Sequence, residues 1–292
     1  MANSKSSGLM SMDDMSSALS LSLRVVLVLN ETKSFDFTSV RREELAAVLG
    51  GVDVVVSALN GRALEAQGLV QDAGVKRFFL PKRGWDASCL QEAGRSSGVR
   101  SSCNWITQFL FFVRLWNIKD QCNERALRHP AVNSGKMTYT LIGCGDFYNQ
   151  DPTRSTSSAA WMQKADYSHL DDFAAYLVAS LCEPEKPANA ILNFPSDHIS
   201  LNEIAALLEK YSGKPVQRKI IPHEDMHRVV ADPSQAPAEF QGASVFPVDF
   251  WFLVKGIQGE GRFYRPRCQN HDHLFPEVQR TTFEQYLKQK FA

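Results

Sequence analysis

The stretch Gly51-Val-Asp-Val-Val-Val-Ser-Ala-Leu-Asn-Gly61 starts a β-branched run directly after a glycine and ends it in a small polar loop. A strand of a parallel sheet reads this way, because helices cover both of its faces and no polar alternation is needed. The pattern recurs in Gly74-Val-Lys-Arg-Phe-Phe-Leu-Pro81. Between the two, Arg62 to Ala73 carries Leu64, Leu69 and Val70 among polar residues and can form a crossover helix. Strands alternating with helices predict an α/β fold with a doubly wound parallel sheet. In such a sheet, ligands settle at the carboxyl ends of the strands.

Upstream, Leu23–Leu29 reads as a strand and Phe35-Asp-Phe37 as a further short one. Thr38 or Ser39 is placed to cap a helix through Arg42–Leu49, which Gly50-Gly51 would stop. Nothing before Val52 supplies a Gly-x-Gly-x-x-Gly-like turn, the usual opening of a dinucleotide-binding sheet. Residues 82–118 break the rhythm: Cys89 to Cys103 is polar and rich in serine and glycine, and Trp105 to Trp116 is apolar without clean periodicity. A helix is expected from Ile118 to Arg128 and a strand over Met137–Gly143, followed by the loop Cys144-Gly-Asp-Phe-Tyr-Asn-Gln150. Helices are expected over Asp171–Leu181, over Ile199–Tyr211 with a Ser200/Glu203 capping box, and over Thr281–Gln289.

At 292 residues the chain can bury a substantial core as one large or two smaller α/β domains. Lys+Arg and Asp+Glu both number 32, so the net charge is zero. This argues against a nucleic-acid partner or a polybasic membrane-binding surface. No run approaches the roughly 18 apolar residues of a membrane span, since Phe109–Trp116 is short and broken by Arg114. Residues 1–22 are rich in serine and methionine, lack the pattern of a secretory signal, and read as a disordered tail. The six cysteines (Cys89, Cys103, Cys122, Cys144, Cys182, Cys268) include no Cys-x-x-Cys pair. They suit free thiols in a reducing, cytoplasmic compartment.

From Phe35 onward the chain resembles the NmrA-like and isoflavone-reductase-like group of atypical short-chain dehydrogenases. The resemblance rests on the order and spacing of Glu43-Glu-Leu45, Gly51–Ser57, Gly74–Phe79, Thr138-Tyr-Thr-Leu-Ile-Gly-Cys-Gly-Asp-Phe147, Ile199-Ser-Leu-Asn-Glu-Ile204, Lys210-Tyr-Ser-Gly-Lys-Pro215, Phe275-Pro-Glu-Val278 and Thr281-Thr-Phe-Glu-Gln-Tyr286. It implies a Rossmann-like domain for NADP(H), or NAD(H), over residues 23–150 and a smaller substrate-binding region over 151–292. Some members of the group are reductases that use a lysine on a helix. Others are cofactor sensors that regulate a protein partner in transcription, in which case a nuclear location is also open. The sequence departs from the group twice. Leu23–Leu29 matches the group's second strand, so the first strand and its glycine turn are missing, and Leu29 stands where an arginine often meets the 2′-phosphate. After Leu80 the chain reads Lys82-Arg-Gly-Trp85 in place of the usual Ser-Glu/Gln-aromatic-Gly turn. A truncated or mispredicted gene model is the expectation for both departures. A remnant without a cofactor site stays open beside the reductase and the sensor.

The resemblance makes Lys119, in Asn117-Ile-Lys-Asp120, the candidate general acid/base. For the cofactor, Ser57, Ala58, Leu59, Asn60 and Gly61 close a strand, Asp36 stands where it can meet the adenine or cap a helix, and Gly143, Cys144 and Phe147 can wall the nicotinamide. A small-molecule substrate, apolar or aromatic, is expected, with Phe246–Phe252 either lining its pocket or packing helices. His223-Glu-Asp-Met-His227 fits the His-Glu-x-x-His pattern but has no third ligand at the usual short spacing. His271-Asp-His273 reads as a surface loop, so no metal is expected.

Overall fold

The architecture is that of a computed structural model, which describes residues 24–25, 33–34, 39–59, 61–81, 119, 121–149, 162–216, 218, 220–241, 248–259, 261, 263–265 and 269–292. Asp36 and Asn60, the tail over 1–22, the strand at Phe35–Phe37 and the irregular segment over 82–118 lie outside these residues.

The strand expected over Leu23–Leu29 is described at β1 (Arg24–Val25), which pairs antiparallel with β2 (Lys33–Ser34) in a ladder separate from the parallel sheet. The intervening chain is short enough for an antiparallel return, whereas a parallel crossover needs a dozen residues or more. Helix α1 (Arg42–Leu49) follows, and its cap is Arg41, not Thr38 or Ser39. The Arg41 N–H donates to the Glu44 carboxylate, which serves one of the helix's unpaired amides. Gly51, at φ +80°, turns the chain out of the helix in a conformation that L side chains resist.

Four strands make the central sheet in the order β3 (Val54–Val56), β4 (Arg77–Pro81), β5 (Thr138–Gly143) and β8 (Ala190–Asn193), all parallel. Between β3 and β4 the chain forms a 3-10 segment, Gly61–Ala66, running into helix α2 (Gln67–Asp72). Residues 121–127 are helical, as is Lys119, and they return the chain to β5. Neighbouring residues of one strand face opposite sides. Phe78, Leu80 and Leu141 therefore pack with Leu45, Leu49, Leu64, Val70, Cys122 and Ala126 on one face. Ile142, Leu192 and Phe194 pack on the other with Phe275 and with Tyr176 of helix α3 (Leu170–Cys182). The rings of Tyr176 and Phe194 stack at 4.3 Å. Phe78, Phe79 and Leu80 are fully buried, each worth about 1.5–3 kcal/mol relative to exposure.

A second sheet, β6 (Asp146–Phe147), β7 (Lys164–Ser168) and β9 (Asp197–Ser200), follows directly from the end of β5. Strand β6 is parallel to β7, and β7 is antiparallel to β9. Ser200 caps helix α4 (Leu201–Ser212) in the expected box with Glu203. Helices α5 (His223–Ala231), α6 (Val248–Gly259) and α7 (Phe283–Lys290) complete this half. Leu253, Ile257, Phe283 and Leu287 pack beneath Ala165, Tyr167 and Ile199. The chain weaves across the division expected at residue 150, because β6 joins the second sheet and β8 returns to the first. No helix among the described residues is long and apolar enough to cross a membrane.

Gly145 sits where the two sheets meet. A Cβ there would stand 2.4 Å from the carbonyl of Asp166 and 2.5 Å from the Tyr167 nitrogen, both backbone atoms with nowhere to go. Gly145→Ala is expected to destabilise the fold by about 3 kcal/mol, the upper range for overpacking. Urea unfolding checks this, and an unchanged midpoint would show that the two sheets can separate at this point without loss.

Candidate functional site

The carboxyl ends of β3, β4 and β5 form one edge of the central sheet, and the sequence-predicted residues gather there unequally. Ser57 continues the ladder past β3, its N–H donating to Phe79 O at 2.9 Å, and its buried hydroxyl accepts the Leu59 N–H at 3.3 Å. Leu59 turns inward to the core, so only its backbone is offered to the edge, while Ala58 is exposed. Gly61 opens the 3-10 segment that leads into α2.

At the end of β5, the Gly143 carbonyl accepts the Phe194 N–H at 2.9 Å and the Gly145 N–H donates to Ser168 Oγ at 2.8 Å. Cys144 lies between them, with its carbonyl held by Arg265 Nη1 at 3.1 Å. Burial pushes the Cys144 thiol up to about 11, against the pull of the Arg265 and Lys119 cations. The charge of the half-buried candidate Lys119 is felt at that sulfur, so the two lie within electrostatic reach although 25 residues of sequence separate them. Phe147, in β6 of the second sheet, meets Phe173 edge-on with ring centres 5.8 Å apart.

Several polar groups of this region carry no distinctive sequence signal. Asn123, four residues after Lys119, is buried and its Nδ2 donates to the carbonyl of Pro81, the last residue of β4, at 3.2 Å. Its Oδ1 has no partner among the described residues. Spacing alone marks it, since residues four apart share a helix face. Arg265 is buried, and its N–H donates to Asp166 Oδ2 at 2.7 Å. Burial raises the Asp166 carboxyl above its usual range, opposed by hydrogen bonds from His198 and from that Arg265 N–H. The buried Lys255 ammonium reaches Asp146 Oδ2 at 3.3 Å and Gln258 Oε1 at 2.9 Å, tying α6 to β6. These last two arrangements connect residues about 100 positions apart, which no local pattern in the sequence could reveal.

Helix α5 begins at His223, and among the described residues no three His, Cys, Asp or Glu side chains gather as a metal site would require. His271 Nδ1 accepts the Asn193 N–H at 3.2 Å, a structural role at the end of β8. Of the aromatic run, Phe252 is fully buried against Met226, Val229 and Ile221, and Trp251 stacks on Phe240 at 5.4 Å. This part of the run packs helices, while Phe246 and Pro247 lie outside the described residues.

With its thiol raised to about 11, Cys144 is protonated at neutral pH. It should be alkylated by iodoacetamide at pH 8 roughly 100-fold more slowly than an ordinary thiol, with a rate that climbs as pH rises toward 11. Exposed Cys182 provides the internal comparison by peptide mass spectrometry. Equal labelling of the two would show that the Cys144 sulfur is open to water.

The carboxyl edge, the lysine beside it and the second sheet can be set against known proteins. The chain is 24% identical over 257 residues to phenylcoumaran benzylic ether reductase POP1 of Populus trichocarpa, covering 85% of this chain and 78% of the relative. It is 28% identical over 260 residues to eugenol synthase 2 of Clarkia breweri, covering 85% and 78%. Among solved structures, an isoflavone reductase superposes with a TM-score of 0.58 at 18% identity, over 88% of this chain and 80% of that one. The leucoanthocyanidin reductase–NADPH complex from Vitis vinifera superposes with a TM-score of 0.57 at 15% identity, over 87% and 83%. These likenesses identify the fold as that of Rossmann-like reductases. The model of the NmrA-like family matches residues 133–287, more than half of the chain, and the chain belongs to that family.

Proposed function

We propose that this chain is an NADP(H)-dependent reductase acting on a small aromatic or apolar molecule at the carboxyl edge of β3, β4 and β5. The observation that carries the reading is that the helical Lys119, 25 residues before Cys144 in sequence, lies within electrostatic reach of Cys144 at the end of β5. The chemistry of the edge fits the nicotinamide end of a dinucleotide. It combines a cationic amine and an aromatic side chain, Phe147, with strand ends made of small residues. The 292 residues contain no Gly-x-x-Gly-x-x-Gly run, the turn whose backbone amides hold a pyrophosphate in a dinucleotide-binding sheet. The names of the relatives, a phenylcoumaran benzylic ether reductase and a eugenol synthase, support an aromatic substrate such as a benzylic ether.

When bound, a reduced nicotinamide supplies a hydride. The Lys119 ammonium holds a proton at the substrate oxygen that gains negative charge as the neighbouring carbon is reduced, and gives it up as that charge develops. Phe147 and Phe173 keep an apolar wall beside the reacting atoms and reduce access of water to them. Ser57 and Gly143 hold the strand ends in place through the hydrogen bonds that already join them to Phe79 and Phe194.

Titration of the full chain with NADPH, followed by tryptophan fluorescence, should saturate. NADPH oxidation with a phenylcoumaran should then be measurable, and Lys119→Ala should reduce its rate by about 10²- to 10⁴-fold while changing the NADPH dissociation constant little. Turnover preserved in Lys119→Ala would remove the lysine from the chemistry. NADPH binding with no turnover of aryl ethers or quinones would favour a cofactor-sensing role. No binding at millimolar NADPH would end the cofactor reading.

A further inference from the structure

Asp146 follows Cys144 by two residues and carries a carboxylate that the reduction described above does not use. Its Oδ2 accepts from two side chains of α6, Gln258 Nε2 at 2.7 Å and Lys255 Nζ at 3.3 Å. Lys255 and Gln258 are themselves tied together, Nζ to Oε1, at 2.9 Å. Both donors are buried, with the Lys255 side chain 8% exposed, whereas the Asp146 side chain is 34% exposed. The carboxylate is thus gripped from behind and open in front. A carboxylate offers about four lone-pair positions, and the two donors of α6 both fall on Oδ2. Oδ1 remains to accept from a molecule outside.

Stability does not account for this arrangement. Burying an ammonium is unfavourable, and replacing a buried ion pair by apolar side chains is often neutral or stabilising. What the pair does is fix one carboxylate in place where the chain passes from β5 to β6. The charge of Asp146 is felt at the Cys144 sulfur, as is that of Lys119, so both lie within electrostatic reach of one thiol. Because Lys255 already meets the charge of Asp146, a ligand group needs no charge of its own. It needs a donor. An anion would be repelled, and a methyl or ether group would take water from Oδ1 and give nothing back. A neutral hydroxyl fits. Lys119 serves the oxygen that gains charge in the reduction, so the hydroxyl at Asp146 is a second one that takes no part in the chemistry.

Resting on the reductase reading above, we propose that Asp146 is a specificity-determining residue whose Oδ1 accepts a hydrogen bond from a non-reacting alcohol hydroxyl of the aromatic substrate. Lys255 and Gln258 are the positioning residues that aim it. The substrate class narrows to aromatic ethers that also carry a free alcohol group. A hydrogen bond to a fixed carboxylate is charge-assisted, so it rejects an analogue lacking the hydroxyl more sharply than an apolar contact could.

The test compares two phenylcoumarans that share the phenol and the benzylic ether and differ at one substituent of the dihydrofuran ring. One carries hydroxymethyl there and the other methyl. At saturating NADPH, the wild-type chain should show a KM about 10- to 100-fold lower for the hydroxymethyl compound, at similar kcat. Asp146→Leu combined with Lys255→Met should abolish that difference, the two being changed together so that neither charge is stranded. Should that variant not fold, Asp146→Asn with Lys255→Met keeps the shape of the side chain and should narrow the difference, since a neutral amide makes no charge-assisted bond. Equal KM values in the wild type would overturn the assignment without any variant having to fold. A full preference that survives in the folded variant, or one expressed only in kcat, would overturn it as well. These outcomes leave the reductase reading standing, because both compounds are still reduced. A wild-type chain that reduces neither compound removes that reading and the assignment together.

Discussion

The close approach of backbone to backbone at Gly145 is the constraint on which the rest of the structure depends. With no side chain there, the chain leaves β5 and passes within contact distance of Asp166 and Tyr167, so the first sheet hands over to the second in two residues. Ser168 Oγ takes the Gly145 N–H and donates in turn to Phe194 O, which joins β7 to the end of β8. A wider crossing would move Cys144 and Phe147 apart and dissolve the edge at which the candidate site forms.

Around that crossing, buried charges are placed in pairs instead of being excluded. Asp166 meets His198 and the Arg265 N–H, Arg265 holds the Cys144 carbonyl, and Lys255 meets Asp146. Asp172 accepts from Ser196 and from both the backbone and hydroxyl of Thr281, anchoring the segment that leads into α7. Such pairs contribute little net stability compared with apolar packing, yet losing one partner strands the other. Their effect here is positional, since each links the loop after β5, or the elements beside it, to the C-terminal half.

The fold was readable in the sequence to a large extent, for reasons visible in particular residues. Arg77–Pro81 is a strand whose apolar run after glycine is buried at Phe78, Phe79 and Leu80. In Val54–Val56, at the end of the described sheet, only Val55 is buried and Val54 is exposed. Ser200 with Glu203 caps α4 because two side chains three apart can satisfy each other's backbone amides. The cap of α1 shifted to Arg41, because Glu44 can serve a backbone N–H whatever side chain the capping residue carries. The pairing of Arg24–Val25 with Lys33–Ser34 was not readable, because an apolar run specifies burial and leaves the choice of partner strand open. Of the candidate site, the residue types at the strand ends could be named in advance, but not which of their groups would be spent internally, as with the side chain of Leu59 and the carbonyl of Gly143.

The sequence by itself determined the α/β class, the parallel strands at residues 54–56, 77–81 and 138–143, and the resemblance to a reductase-like family, because all three follow from local composition and motif order. Only the tertiary structure decided that the Lys119 charge falls within electrostatic reach of Cys144, that Arg265 holds the carbonyl between the two sheets, and that Asn123 donates to the end of β4. Asn123 and Pro81 are 42 residues apart, and Arg265 and Cys144 are 121 apart. Hydrogen-bond satisfaction is a property of the completed packing, so no periodicity along the chain encodes which buried groups will pair with which.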